Sequence, residues 1–256
     1  MIRSVVIIGA GNLGVHLCRE LKNHSLESLK IYSRKAGFTG FEAGIRPYLT
    51  NQESVFREPA DLFIIAVNDD NIAEVAERIP DQGQIVVHTS GSTSVSVLEK
   101  FKYHGVLYPL QTFSPGRNLK WKEIPVFVEA SDTQRQELLR AFCLKITGYC
   151  CIADSRERKN LHISAVFVSN FVNHLFEQAK ELTEQQGIDF SLLFPLIRET
   201  VDKIRQMNPH EAQTGPALRG DRKIIKKHLQ ALENEPEKKR LYEILSESIY
   251  RKGVDK

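Results

Sequence analysis

Val5-Val6-Ile7-Ile8-Gly9-Ala10-Gly11-Asn12-Leu13-Gly14 is the stretch that decides the fold. Four consecutive β-branched residues run without a polar break into a turn spelling GxGxxG, and an amphipathic pattern, Leu13 to Leu21, begins inside that turn. An unbroken apolar strand requires cover on both faces, which is the condition of a parallel sheet. The three glycines have separate tasks. The first permits the tight turn, the second lets a phosphate approach the backbone, and the third lets the helix pack closely on the strand. The helix start adds unpaired N–H groups and a partial positive charge. The turn therefore predicts a dinucleotide site built on Gly9, Gly11, Asn12, Leu13 and Gly14; S-adenosylmethionine is the other ligand this geometry admits.

The pattern repeats outward. Leu29 to Tyr32, Leu62 to Val67, Gln84 to His88, Gly105 to Leu110, Val126 to Ala130 and Thr147 to Ala153 read as strands. Ile72 to Ile79 and Gln134 to Leu144 read as helices between them. Alternation of this kind specifies an α/β doubly wound, mostly parallel sheet. After Asp154 strand patterns stop, and helical periodicity runs through Leu161 to Leu182, Ser191 to Ile204, Ile224 to Leu232 and Lys238 to Ile249. The expected division is a Rossmann domain at 1–153 and an all-α domain at 154–256.

Cofactor choice is read at the end of the second strand. NAD-binding sites carry an acid there for the ribose 2′-hydroxyl, whereas Tyr32 runs into Ser33-Arg34-Lys35. A hydroxyl and two cations suit a 2′-phosphate, and one charge-assisted bond is worth roughly 1.5–3 kcal/mol. NADP(H) is the expected cofactor. The next strand ends, Val67-Asn68-Asp69-Asp70 and His88-Thr89-Ser90-Gly91-Ser92, are expected to border its nicotinamide end, with Ser90 and Gly91 towards substrate. Ser92 to Ser94 equally suit the cap of the following turn.

The helix that follows the sheet carries polar residues among apolar ones. At about 100° per residue, with His162 at zero, Ser169 falls at about −20°, Asn173 at +20°, Lys159 at +60° and Asn170 at +80°. A buried helix with Leu161, Ala165, Val168, Phe171, Val172 and Leu175 on its other faces carries such a stripe either to line a wet cleft or to cap backbone. His162, which titrates near neutrality in the ordinary case, and Asn170 are the candidate catalytic residues with Ser90. His162 is preferred to Lys159 as proton donor. Ser169, Asn173 and Arg219 are candidate substrate contacts, Arg219 lying in the loop Thr214 to Asp221 before an N-cap.

Composition narrows the function classes. The 256 residues are 41% hydrophobic and 26% charged, with net charge +3, a soluble globular profile without the basic excess of a nucleic-acid binder. No apolar run reaches the ~18 residues of a membrane span. Cys18, Cys143, Cys150 and Cys151 have neither metal-site nor disulfide-framework spacing, and the adjacent pair suits buried thiols in a reducing compartment. A cytoplasmic protein without metal, membrane or nucleic-acid partner is expected.

GAGNLG at the start, HTSGS at 88–92, YPLQTF at 108–113, HISAVFVSNF at 162–171 and TGPALRGD at 214–221 together resemble a family described as a Rossmann-like domain followed by domain of unknown function 2520. The resemblance spans essentially the whole chain. It is similar to a wider superfamily with pyrroline-5-carboxylate reductase, ketopantoate reductase, deazaflavin-dependent NADP reductases and β-hydroxyacid dehydrogenases, whose helical C-terminal domain resembles that of 6-phosphogluconate dehydrogenase. The resemblance implies an NADP-linked oxidoreductase, dimeric through its C-terminal helices, without naming a substrate. The hydroxyacid dehydrogenases place a catalytic lysine a few residues before an asparagine. Here eleven residues separate Lys159 from Asn170, so that lysine is not carried over. The expected activity is NADPH-dependent reduction of a small carbonyl or imine compound, including ones bearing a carboxylate. A non-catalytic NADP(H) sensor is the alternative, because hydride chemistry belongs to the cofactor.

Overall fold

The computed structural model describes residues 1–34 and 40–254. Its sheet has eight strands in the order β3-β2-β1-β4-β5-β6-β7-β8. In chain order these are β1 (Ser4–Ile8), β2 (Ser28–Tyr32), β3 (Leu49–Thr50), β4 (Leu62–Ile65), β5 (Ile85–His88), β6 (Tyr103–Pro109), β7 (Pro125–Ala130) and β8 (Tyr149–Ile152). All neighbours are parallel except β6 and β7. The seven strands expected from sequence are present, with ends shifted by a residue or more. The added one, β3, has only two residues, too short for any apolar period to show.

The apolar runs are continuous because the sheet is covered on both faces. Val5 and Ile7 of β1 pack into one cluster with Leu17 and Leu21 of α1 (Asn12–Leu21) and with Leu139 and Phe142 of α3 (Thr133–Ile146). Val6 and Ile8 face the other way, against Phe56, Phe101 and Ile72 of α2 (Ile72–Glu77). Strand residues alternate between faces, so each β-branched pair feeds both cores. At the far edge the cover ends: on β8, Cys150 is buried while Tyr149, Cys151 and Ile152 are exposed. The expectation that both adjacent cysteines are buried is thus corrected for Cys151. An edge strand has only one packed face. The Cys150 thiol lies against Cys143; hydrogen bonding between them and burial hold Cys143 well above its usual pKa.

By packing, the chain divides between Asn170 and Phe171. The strands do end by Ile152, but α4 (Ser155–Val166) belongs with the sheet. Its start carries a capping box, Asp154 accepting from Glu157 N–H while the Glu157 carboxylate accepts from Asp154 N–H. The second unit, from Phe171 onward, contains α5 (Val172–Glu184), α6 (Phe194–Gln206), the short α7 (Pro209–Ala212), α8 (Arg222–Ala231) and α9 (Pro236–Val254). Asp221 caps α8 by accepting from Ile224 N–H, the role its sequence position suggests.

One helical feature is absent from the sequence reading. Residues Phe167–Phe171 form a π turn. Hydrogen bonds there span five residues instead of four, so each residue rotates by less than the ~100° of an α-helix. The regular-helix angles for Ser169, Asn170 and Asn173 therefore do not hold. The wider turn swings Asn170 back towards the azimuth of His162 and Ser169 away from it. Nor is this helix apolar-buried as expected: within the chain Phe167, Val168 and Phe171 are exposed, Val168 to 73%.

Candidate active site

Order reversal places β2 and β4 on opposite sides of β1, and the crevice beyond the carboxyl ends at such a switch point is where open sheets bind ligands. A cleft of about 420 Å³ lies there, bordered by Gly9, Gly11, Ser33, Arg34, Val67 and Asn68 among others. Gly9 has φ +115°, and a Cβ on it would lie 2.3 Å from the Ala66 carbonyl oxygen. A Cβ on Gly14 would lie 1.9 Å from the Gly9 carbonyl oxygen. At Gly11 an added Cβ would meet nothing within 4 Å. The first and third glycines are required by the protein's own packing; the second faces open space where a phosphate fits. The N-terminus of α1 has no side-chain cap and no acid in its first turn, so its N–H groups and dipole remain available to an anion. These residues fit a dinucleotide pyrophosphate.

Asn12 is committed elsewhere: its side-chain amide donates to the Phe113 carbonyl at 2.9 Å, tying the loop after β6 to the helix start. Leu13 is half-buried and packs against the core. Ser33 is buried and Arg34 exposed at the outer end of the cleft; Lys35 lies outside the described residues. A further cation was missed in the sequence. Arg78, just after α2, borders the same cleft, its guanidinium 4.2 Å from the Phe56 ring centre and 2.8 Å from Glu53. Forty-five residues of chain separate it from β2, so spacing gave no hint of it. A larger hollow of about 680 Å³, lined by Ile2, Asp61, Ile85 and Tyr103, lies at the amino ends of the strands, the end that open parallel sheets do not use for ligands.

At the carboxyl ends of β5 and β6 a second group of side chains meets. The turn after β5 is held by internal bonds. Ser90 N–H donates to His88 Nδ1 at 3.1 Å, and His88 Nε2 donates to the Ser94 carbonyl at 3.3 Å. Only a neutral ring satisfies both. Burial, with the Arg158 charge nearby, brings its pKa down to about 4. The Ser90 hydroxyl donates to Asp69 at 2.8 Å and its oxygen accepts from Ser92 N–H and Thr93 N–H. Its one proton is already engaged, and Ser92 also donates to Asp69. Ser94 accepts from Ser96 N–H, the capping role foreseen for this run.

His162 stands over this turn. Its Nδ1 is 3.0 Å from the Tyr108 hydroxyl. A Cβ on Gly91 would come within 2.6 Å of that nitrogen and 2.8 Å of Tyr108 Cζ. Gly91 is needed so that bare backbone can pass beneath the pair. One turn earlier on α4, Arg158 is 1% exposed. It pairs with Glu129 of β7, donates to the Thr93 carbonyl at 2.6 Å and lies 3.2 Å from the Ser155 hydroxyl. Val95 N–H donates to that same hydroxyl. The ion pair thus fastens β7, the turn after β5 and α4 into one frame. Lys159 is exposed, Ser169 half-buried and Asn170 exposed. Asn173 and Arg219, both exposed, belong to the second unit.

Tyr108 and Arg158 were not among the sequence candidates, and Asp69 entered only within the strand end at 67–70. Tyr108 and Asp69 obey the strand-end rule that singled out Asn68 and Ser90, so a signal existed for them. Arg158 and Glu129 come from separate elements, and only the tertiary fold pairs them. Among the described residues no cluster of His, Cys, Asp or Glu could hold a metal, and no helix is long and apolar enough to cross a membrane.

Residues 2–113 match the Rossmann-like domain, and residues 124–249 match the domain of unknown function DUF2520. A Bacteroides fragilis protein provisionally named NADP oxidoreductase is similar over 98% of both chains at 36% identity, with a TM-score of 0.87. An imine reductase of Streptomyces aurantiacus shares the fold at 17% identity and TM-score 0.68, over 98% of this chain and 94% of that one. A Plasmodium falciparum pyrroline carboxylate reductase with NADP bound does so at 12% and 0.58, over 99% and 100%. No curated protein matches the sequence. With the glycine turn, the eight-stranded sheet and both family regions in place, the chain belongs to the family of Rossmann-like proteins that carry a DUF2520 domain.

Proposed function

We propose that the protein is an NADPH-dependent reductase of a small carbonyl or imine compound, including ones bearing a carboxylate. One observation carries the reading: the carboxyl end of β6 and helix α4 bring a buried tyrosine and a histidine into hydrogen-bond contact. The provisional name of the 36%-identical relative agrees with it. Bound NADPH would supply the hydride. The chain's own residues hold the pyrophosphate at Gly9, Gly11, Leu13 and Gly14, with Val67 and Asn68 bordering the nicotinamide half. Ser33, Arg34 and Lys35 read the 2′-phosphate. His162 delivers the accompanying proton and Asn170 holds the substrate heteroatom. Ser90 and Gly91 shape the floor beneath them, with Ser169 as an outer substrate contact.

NADPH is expected to bind at least about ten times tighter than NADH, the ratio one useful charged contact supplies. Arg34→Ala should weaken NADPH and barely touch NADH in a fluorescence titration; equal losses would remove Arg34 from 2′-phosphate recognition. Turnover is read as loss of nicotinamide absorbance against a panel of 2-keto acids, β-keto acids and cyclic imines. A cofactor that binds tightly and is never oxidised would leave a sensor in place of a reductase.

The proposal includes a homodimer through the C-terminal helices. Leu192, Phe194 and Leu196 are 54–70% exposed, and Val201 and Ile204 50%. Large apolar patches of this kind mark interaction sites, and twofold pairing is the commonest way to cover them. Light scattering at micromolar concentration is expected to give twice the 29.2 kDa chain mass; the monomer mass would refute it.

A further inference from the structure

Resting on the reductase reading above, we infer that Tyr108 is the positioning residue that assigns His162 its working nitrogen, holding the ring as the Nε2–H tautomer. Tyr108 is a buried residue, 8% exposed, at the carboxyl end of β6. A buried hydroxyl must place its proton on an acceptor. Among the described residues this hydroxyl meets His162 Nδ1, at 3.0 Å. The phenol therefore donates, Nδ1 accepts, and the neutral ring keeps its proton on Nε2. Which nitrogen of a histidine carries the proton is set by the bond the other one makes. Burial also pushes the Tyr108 pKa up, which keeps the hydroxyl protonated and able to donate.

The surroundings fix the pair mechanically. Gly91 lets backbone pass under both rings, and Arg158 anchors α4 one turn before His162. The charged and titratable groups facing the pair are Asp69 on the turn after β4, Arg158 with Glu129, and neutral His88. The proton count closes over these residues and one proton from solvent. As the substrate is reduced by NADPH, the His162 Nε2–H bond breaks towards the substrate heteroatom. In the same step the Tyr108 hydroxyl proton passes to Nδ1, so the ring stays neutral; solvent then protonates Nε2 as the Nδ1 proton returns to the tyrosine oxygen, which restores the starting tautomer.

The test is ¹⁵N-histidine NMR on the full-length protein, with His162 assigned by loss of its signals in His162→Gln. At a pH of about 8, where histidine is ordinarily neutral, His162 is expected to show its directly bonded proton on Nε2. In Tyr108→Phe that preference should collapse to a mixture. Turnover should fall by about 10²-fold, the lower end of what a positioned proton donor contributes, with NADPH affinity unchanged. A proton found on Nδ1 in the wild type, or a tautomer ratio that Tyr108→Phe leaves unaltered, overturns the inference. The resonance is read without substrate. If it behaves as expected while the wild type reduces nothing in the panel, the tautomer assignment stands and the reductase reading falls.

Discussion

His162→Ala is expected to bind NADPH as the wild type does and to lose about 10²–10⁴ in turnover, the contribution of one positioned proton donor. The reasoning is geometric. His162 is held at 3.0 Å by Tyr108 above the strand ends that follow the glycine turn, and it is not among the residues that border the dinucleotide cleft. Removing the imidazole takes away a proton source without touching the phosphate cradle at Gly9, Gly11 and Gly14. A titration of NADPH and a single-turnover trace on the same preparation separate the two effects. Normal turnover by the variant would dismiss His162 as the donor. The comparison with Lys159→Ala is informative because that side chain is exposed; its loss is expected to leave turnover within a factor of a few.

Arg158→Met should strongly destabilise the first unit. Removing one member of a buried pair leaves the other charge uncompensated, which costs about 3–5 kcal/mol in measured cases. Glu129 retains 16% side-chain exposure and regains some solvation, so the lower end, about 3 kcal/mol, is expected. For a chain of this size that lowers the unfolding midpoint by roughly 10 °C. The double variant Arg158→Met with Glu129→Leu should recover much of the loss, since a buried ion pair replaced by apolar groups is often neutral. Equal midpoints for the single and double variants would show that Arg158 acts through packing alone. Arg158 also donates to the Thr93 carbonyl and approaches the Ser155 hydroxyl, so the single variant is expected to loosen the turn beneath His162 as well.

Much of this was legible in the chain itself. Val5 to Ile8 followed by GxGxxG required a covered parallel strand, a tight turn and a close helix, and each glycine occupies the environment its task requires. The longer strands showed because continuous apolar runs have a local cause: in β4 and β5 every residue is buried on one face or the other. The two-residue β3 had no period to reveal. The absence of an acid after Tyr32 is likewise a local fact, readable at Ser33 and Arg34 without coordinates. The helix stripe was read only in part, because a regular 100° step was assumed and the π turn at Phe167–Phe171 breaks it. A change in helical hydrogen-bonding register leaves no clear mark in residue type.

The sequence by itself determined the doubly wound sheet, the phosphate turn, the helical second half and the nomination of His162. These follow from periodicity and from backbone demands that act over a few neighbouring residues. Only the tertiary structure decided that Ser90 gives its proton to Asp69, that Arg78 joins Arg34 at the cleft, that Glu129 neutralises Arg158 and that Tyr108 holds His162. Each of these is a hydrogen bond, a charge pair or a shared wall between residues 21 to 54 positions apart, and which partner meets which depends on strand order and helix packing. A polar side chain's nearest donor or acceptor in space is set by the closure of the whole fold, and no local pattern encodes it.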